Sequence, residues 1–145
     1  MAEVVTAANQ NRIDPDLLFA LVAVESNFNS TAVSPKGARG LGQIMFATGR
    51  TVAPTIVREP GDLYSVPRNL HVTALYLRRL LIERDGDLRT ALAAYHTGAG
   101  VGHVLGREER VYVDRICRHF AYLKTKREYR ELMAMAAGSP AARRD

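Results

Sequence analysis

The residue of this sequence that is best suited to catalysis is a single glutamate in an apolar helical stretch. Glu25 lies four positions after Leu21, three after Val22 and seven after Leu18, so it continues a helix face that we expect to be buried. Burial penalises the charged carboxylate and raises its pKa, which keeps a proton on the group as a general acid requires. A glutamate that turns to solvent at the helix end explains the same spacing, and on position alone we favour that interpretation.

The second feature of Glu25 is the lack of an acidic neighbour in the sequence. No Asp or Glu occurs from residue 26 to residue 58, and the next acids are Glu59 and Asp62. Most glycosidases use two carboxylates, one to protonate the leaving oxygen and one as nucleophile or activator of water. The pattern therefore indicates an acid that works alone, unless a distant part of the chain supplies a partner.

Length and composition restrict the kind of protein that carries this glutamate. The 145 residues fit one domain, and the 47% that are hydrophobic suffice for a core. The one cysteine, Cys117, excludes an internal disulfide, and without a Cys/His cluster we predict no metal and no cofactor. The net charge of +5 favours an acidic partner, such as nucleic acid, an anionic membrane surface or an anionic wall polymer.

Targeting signals are missing from the sequence as it stands. No apolar run reaches the length of a membrane span, and the first residues lack the basic-then-apolar order of a secretory signal. We therefore expect no membrane span. Either the native protein has no signal, or a signal has been removed.

Apolar residues recur at helical spacing, and strand-like alternation is absent. Capping residues and glycines predict helices over 14–26, 67–84 and 87–96, the last of them broken by Gly98, Gly100 and Gly102. A last long helix is marked by Val111, Ile116, Phe120 and Leu123. The glycine-rich segment 34–53 predicts short helices or a small hairpin around a cleft.

Several strings, taken in order, resemble the soluble lytic transglycosylase family, which has a goose-lysozyme-like fold. They are ESNF at 25–28, SPKGARGLGQIM at 34–45, the segment from Asn69-Leu70 to Tyr76-Leu77, AYHTGAG at 94–100 and Tyr112-Val113. The resemblance covers about residues 13–123. It implies an all-α protein, or at most a lysozyme-like α+β fold with a minimal hairpin. We expect one compact helical domain at 1–137 with a glycan-binding cleft, followed by a flexible tail at 138–145.

The family resemblance implies an activity that suits a lone carboxylate. Members cleave the β-1,4 bond between N-acetylmuramic acid and N-acetylglucosamine in peptidoglycan and leave a 1,6-anhydro end. The C6 hydroxyl of the muramic acid is then the nucleophile and profits from proximity. Glu25 would act first as general acid and then as general base, and the N-acetyl group of the substrate can assist between the steps.

The resemblance also assigns roles to single residues. Glu25 matches the catalytic glutamate, and the phenol of Tyr112 matches a group that hydrogen-bonds and tunes it. The remaining matches line the sugar-binding cleft: Ser34, Gln43, Met45, Tyr95 and His96. Each has a plainer explanation, since buried tyrosines are often core aromatics, a methionine fills gaps, and a glutamine can cap a turn.

Four positions depart from the family pattern. The family usually has methionine at Gly42, proline at Phe46, Asn-Ala at His96-Thr97, and glycine near Thr73. Because His96 replaces an amide beside the cleft, it can keep a donor or add a pH-dependent charge. We expect an altered fit to the substrate, with catalysis retained.

The resemblance further implies peptidoglycan strands as the partner and the periplasm or cell envelope as the location. A secretion apparatus of the envelope is a second candidate partner, and we expect a monomer because no unpaired apolar stripe should remain after packing. Three alternatives stay open. They are a goose-type lysozyme with Asp62 activating water, a low-turnover peptidoglycan-binding module, and a helical nucleic-acid binder, which rests on charge alone and lacks a recognition motif.

Overall fold

The computed structural model of the protein describes residues 1–98 and 105–138. Six α-helices occur in these residues: α1 Ala2–Gln10, α2 Pro15–Ser26, α3 Phe46–Val52, α4 Val66–Glu83, α5 Leu88–Thr97 and α6 Arg107–Gly138. A short 3-10 helix spans Pro60–Tyr64. Two isolated antiparallel bridges, Val33 to Arg39 and Arg39 to Ile44, are the only strand pairing in the described part of the chain. The prediction of an all-α protein with at most a minimal hairpin is confirmed.

Local capping explains why the predicted helices begin and end where they do. At the start of α2, the side chain of Asp14 accepts a hydrogen bond from the backbone N–H of Asp16 at 2.9 Å. Helix α2 ends at Ser26, and the residue that caps it, Asn27, has the left-handed conformation. Asp87 caps α5 in the same way, and Gly98 ends that helix with a φ of 91°. Gly100 and Gly102, also predicted as breakers, lie outside the described residues.

Some elements were not expected from the sequence. Helix α1 and the 3-10 helix were not predicted, and α6 begins before the first apolar residue that marked it and continues to Gly138. Segment 34–53 contains both features considered for it, the bridge pair and the short helix α3. The flexible tail stays a prediction, since residues 139–145 lie outside the described part.

The core is built around α2, which packs against α1 on one side and α6 on the other. Leu18, Leu21 and Val22 of α2 are completely buried, as is Ile116 of α6. Helix α4 packs against α1 and α5, and α5 packs against α6. The C-terminal end of α2, which carries Glu25, is thus held in place by helices from both halves of the chain.

The last turns of α6 extend beyond the core. Tyr129, Leu132, Met133 and Met135 are all exposed there, and the exposed Tyr122 lies closer to the core. Single exposed apolar side chains are common on protein surfaces, and the expected monomer stays a prediction. No described helix is both long and apolar enough to cross a bilayer.

The buried side chain of Asn69 on α4 fastens the loop that precedes α3. Its amide N–H groups donate to the carbonyl oxygens of Arg39 at 3.0 Å and Leu63 at 2.8 Å. Its side-chain oxygen accepts from the N–H of Gly42 at 2.8 Å. A Cβ at Gly40, whose φ is 72°, would lie 2.2 Å from the Leu63 carbonyl oxygen. The loop therefore lies so close to the 3-10 helix and to Asn69 that position 40 has no room for a side chain.

We expect Asn69→Ala to lower the free energy of unfolding by about 2 to 4 kcal/mol, because it leaves buried backbone groups without partners. The measurement is urea denaturation followed by circular dichroism. Asn9→Ala, at an exposed position of α1, is the matched control. Equal stabilities of the two variants would contradict the role given to Asn69.

Candidate active site

Glu25 lies in the last turn of α2, one residue before its end, and is half-buried. Burial raises the pKa of its carboxyl from 4.5 to about 7, although a hydrogen bond from Tyr112 lowers it. The interpretation favoured on position alone, a glutamate turned to solvent, is therefore wrong, because the carboxyl is half-buried. A carboxyl with this pKa exists in both protonation states near neutral pH, which suits proton transfer in either direction.

Tyr112 of α6 is the direct partner of Glu25. Its side chain is buried, and its hydroxyl donates a hydrogen bond to Glu25 Oε1. Burial and the nearby charge of Glu25 raise the pKa of the Tyr112 phenol well above its usual value, so the phenol is a hydrogen-bond donor throughout the physiological range. The ring of His96 stacks on the Tyr112 ring, with centroids 4.2 Å apart and planes 21° apart.

Tyr95 is close to Glu25 but uses its hydroxyl elsewhere. The hydroxyl donates to the carbonyl oxygen of Gly42 at 2.7 Å, and the ring packs against Tyr76 with centroids 5.1 Å apart. Burial, followed by the charge of Glu25, raises the Tyr95 pKa well above its usual value. Tyr95 therefore joins α5 to the loop before α3 and lies close to the acid.

A cleft of ≈ 650 Å³ opens in front of Glu25. Five residues assigned to a substrate site from the sequence line this cleft: Ser34, Gln43, Met45, Tyr95 and His96. The sixth, Tyr112, contacts Glu25 but is not among the lining residues. Glu25 lines the cleft as well. Residues from three different segments of the chain, namely α2, the loop before α3 and α5, therefore meet at one place.

Two of the polar cleft residues also hold the loop in shape. The hydroxyl of Ser34 accepts from the N–H of Ala38 at 3.0 Å. The amide nitrogen of Gln43 donates to the carbonyl oxygens of Gly40 at 2.9 Å and Ala32 at 3.3 Å. The plainer reading of Gln43 as a turn residue is thus accurate, and it does not conflict with a position in the cleft.

Sequence reasoning missed several residues of the cleft. Lys36, Thr48 and Tyr76 line it, and so do Glu108 and Glu109 in the first turn of α6. These two glutamates lie about one helical turn before Tyr112, a spacing that could have indicated that they face the same way. They are the carboxylates that share the cleft with Glu25 among the described residues.

Asp62, the acid considered for activating water, does not reach this cleft. It lies in a separate groove, where its side chain accepts from the N–H groups of Arg58 and Glu59 and pairs with Arg68. These contacts, with the two backbone hydrogen bonds first, lower the pKa of Asp62. In the described part of the chain, no group of three or more His, Cys, Asp or Glu side chains could hold a metal ion.

Two departures from the family pattern prove to be one feature of the structure. Gly42 packs directly against Thr73 of α4, and a Cβ at position 42 would lie 1.9 Å from Thr73 Oγ1. Thr73 occupies the space that a side chain at 42 would need. In this chain Gly42 faces Thr73. The family usually has methionine at the first of these positions and glycine near the second.

The described structure is an all-helical domain with a half-buried acid in a cleft. The sequence comparisons identify its family. The profile of the transglycosylase SLT domain family matches residues 4–110. A transglycosylase of Enterobacteria phage PRD1 is 33% identical over 117 residues, which are 81% of this chain and 41% of the relative. The chain belongs to the transglycosylase SLT domain family.

Two solved structures share the fold. Lytic transglycosylase Slt of Pseudomonas aeruginosa, in the form of an inactive mutant, superposes with a TM-score of 0.79 and 23% identity over 88% of this chain. The soluble lytic transglycosylase SLT70 of Escherichia coli gives 0.75 and 23% over 91%. This chain spans 24% of each of those proteins and less than half of the phage relative.

The contact of Gly42 with Thr73 predicts a steric coupling. Gly42→Ala should lower the free energy of unfolding by about 1 to 3 kcal/mol, because the loop cannot move away from α4. Adding Thr73→Gly should recover part of this loss, although the glycine itself costs about 1 kcal/mol in a helix. Denaturation of both single variants and the double variant measures the coupling. The control is Gly61→Ala, where the nearest atom to a Cβ is 3.9 Å away. Strictly additive losses would contradict the contact.

The raised pKa of Glu25 predicts a cost to stability that depends on pH. Between pH 4.5 and about 7 the folded state holds a proton that the unfolded chain has released, so the free energy of unfolding falls as pH rises through this window. Glutamine cannot titrate. Glu25→Gln should therefore become more stable relative to wild type, by about 2 to 3 kcal/mol, between pH 4 and pH 8.

Urea denaturation at several pH values measures this difference. The exposed Glu128→Gln on α6 corrects for the general effect of losing one carboxyl. If the difference in free energy of unfolding between wild type and Glu25→Gln stays constant with pH, burial does not raise the pKa of the Glu25 carboxyl.

Proposed function

We propose that this chain is a peptidoglycan lytic transglycosylase with Glu25 as general acid and then general base. The observation that carries the proposal is the half-buried Glu25 carboxyl, with a pKa of about 7, in a cleft and hydrogen-bonded by Tyr112. Membership of the transglycosylase SLT domain family supports it. The names of the phage relative and of the two similar structures support it further.

The proposed reaction needs one carboxyl and no water. Protonated Glu25 gives its proton to the glycosidic oxygen, the bond between that oxygen and C1 of the muramic acid breaks, and the N-acetylglucosamine end leaves as an alcohol. The Glu25 carboxylate then takes the proton of the C6 hydroxyl, and the C6 oxygen bonds to C1. The product is a 1,6-anhydro end, and Glu25 is protonated again for the next cycle.

Tyr112 has a definite task in this scheme. The carboxylate that exists between the two proton transfers is poorly solvated because the site is half-buried. The Tyr112 hydroxyl donates to it and replaces part of the lost hydration. It also fixes the carboxyl so that the other oxygen can face the cleft, which improves the geometry of proton transfer.

The remaining cleft residues would bind the sugars. Met45 is exposed at the start of α3 and offers an apolar contact for a ring face. Ser34, Gln43 and His96 bring polar groups that can bond to hydroxyl and N-acetyl groups. The anionic peptidoglycan would also suit the net charge of +5. The periplasm or cell envelope would be the place of action, with a secretion apparatus as a candidate partner.

A hydrolytic outcome, as in a lysozyme, is the second candidate function. The observation that favours it is the presence of Glu108 and Glu109 in the same cleft as Glu25, since a second carboxylate could activate water. A pure binding module is disfavoured, because burying an acid costs free energy that binding does not require.

The decisive experiment is mass spectrometry of the muropeptides released from purified sacculi. Wild type should release anhydro-muramic products, and Glu25→Gln should lose at least about 100-fold in rate, as expected for a missing general acid. Glu128→Gln, an exposed change on α6, should match wild type.

Other results would change the assignment. Reducing ends from wild type would make the chain a hydrolase. No products from wild type would favour the binding module. A fully active Glu25→Gln variant would show that another group is the acid.

A further inference from the structure

Among the described residues, His96 is the aromatic ring that stacks on Tyr112. It sits in the last turn of α5, is exposed to solvent, and lines the cleft. Its ring lies nearly flat on the ring of Tyr112, with centroids 4.2 Å apart and planes 21° apart. Within residues 1–98 and 105–138, the contact seen for the His96 side chain in the site is this stack on Tyr112.

We propose that His96 is a positioning residue for Glu25, which acts by holding the ring of Tyr112 so that the phenol hydroxyl stays on Glu25 Oε1. The proposal rests on the proposed role of Glu25 as acid and base. It adds a residue from a third helix to the pair formed by α2 and α6. The substrate would then meet His96 first, and any tilt of this ring would pass to the acid through Tyr112.

The geometry explains why the stack matters. A phenol ring rotates its hydroxyl through an arc when it tilts, so a hydrogen bond to a fixed carboxyl oxygen needs a fixed ring. The other ring neighbours in the site, Tyr76 and Tyr95, pack against each other and cannot replace His96. Stacked aromatic pairs contribute beyond their buried area, so the contact with His96 adds to the core packing that already restricts the buried Tyr112 ring.

The substitutions that test the proposal leave the rest of the site unchanged. In the described part of the chain, the titratable groups besides His96 that face Glu25 or line its cleft are Lys36, Tyr76, Tyr95, Glu108, Glu109 and Tyr112. Only Tyr112 is varied besides His96. Because His96 is exposed, its replacement should not unfold the protein, and thermal melting of each variant checks this.

The experiment is a double-mutant cycle read by the titration of the Glu25 carboxyl. Carboxyl-labelled protein without substrate is followed by NMR, and Glu25→Gln assigns the signal. Tyr112→Phe removes the hydrogen bond and should raise the midpoint by about 0.5 to 1 pH unit. His96→Ala should raise it by a smaller amount. In the double variant, His96→Ala should add nothing, because its effect passes through the missing hydroxyl.

His96→Phe separates stacking from charge. It keeps a flat ring on Tyr112 and removes the imidazole, so its midpoint should match wild type. An effect of His96→Ala that persists in the Tyr112→Phe background would overturn the proposal, as would an unchanged midpoint in His96→Ala. A His96→Phe variant that behaves like His96→Ala would also overturn it. Because no substrate is present, these outcomes are independent of whether the protein cleaves glycans.

Discussion

The hydrogen bond from Tyr112 to Glu25 is the interaction on which the rest of the site depends. It joins α2 to α6 across 87 positions of sequence, and both helices are held rigidly enough to keep it. At the opposite end of α2, Asp14 pairs with Lys124 and Arg127 of α6. Completely buried side chains such as Leu21 and Ile116 fill the space between. Helix α2 is thus joined to α6 near both of its own ends, and the acid lies at one of these two contacts.

The other wall of the cleft is held by a different set of contacts. The side chain of Asn69 on α4 accepts a hydrogen bond from the loop N–H of Gly42, and the hydroxyl of Tyr95 on α5 donates one to the Gly42 carbonyl oxygen. Thr73 fills the space beside Gly42, so the loop cannot move toward α4 without collision. Loop residues such as Gln43 therefore face Glu25 from a backbone that side chains of two helices fix. This construction explains how an irregular segment can keep a fixed conformation beside Glu25.

The sequence predicted the features that depend on local physics. The bounds of α2 and α5 followed from Asp14, Asp87 and Gly98, because caps act within a few residues. Helical periodicity put Glu25 on a face expected to be buried, but position alone favoured a side chain turned to solvent, whereas Glu25 is half-buried. Helix α1 was missed, since Val4, Ala7 and Ala8 have the right spacing but alanines signal a core weakly and no capping side chain precedes them.

Long-range packing was outside the reach of these rules. Periodicity could not pair Tyr112 with Glu25, and only the family resemblance suggested it. Gly42 and Thr73 looked like two separate departures, because their contact exists only after α4 packs on the loop. In the proposed reaction, one carboxyl must both give and take a proton, so burial and the Tyr112 hydrogen bond must oppose each other. Burial alone would keep Glu25 protonated near neutral pH and a poor proton donor, and the hydrogen bond alone would leave it ionised, with no proton to give. The balance near pH 7 requires both helices.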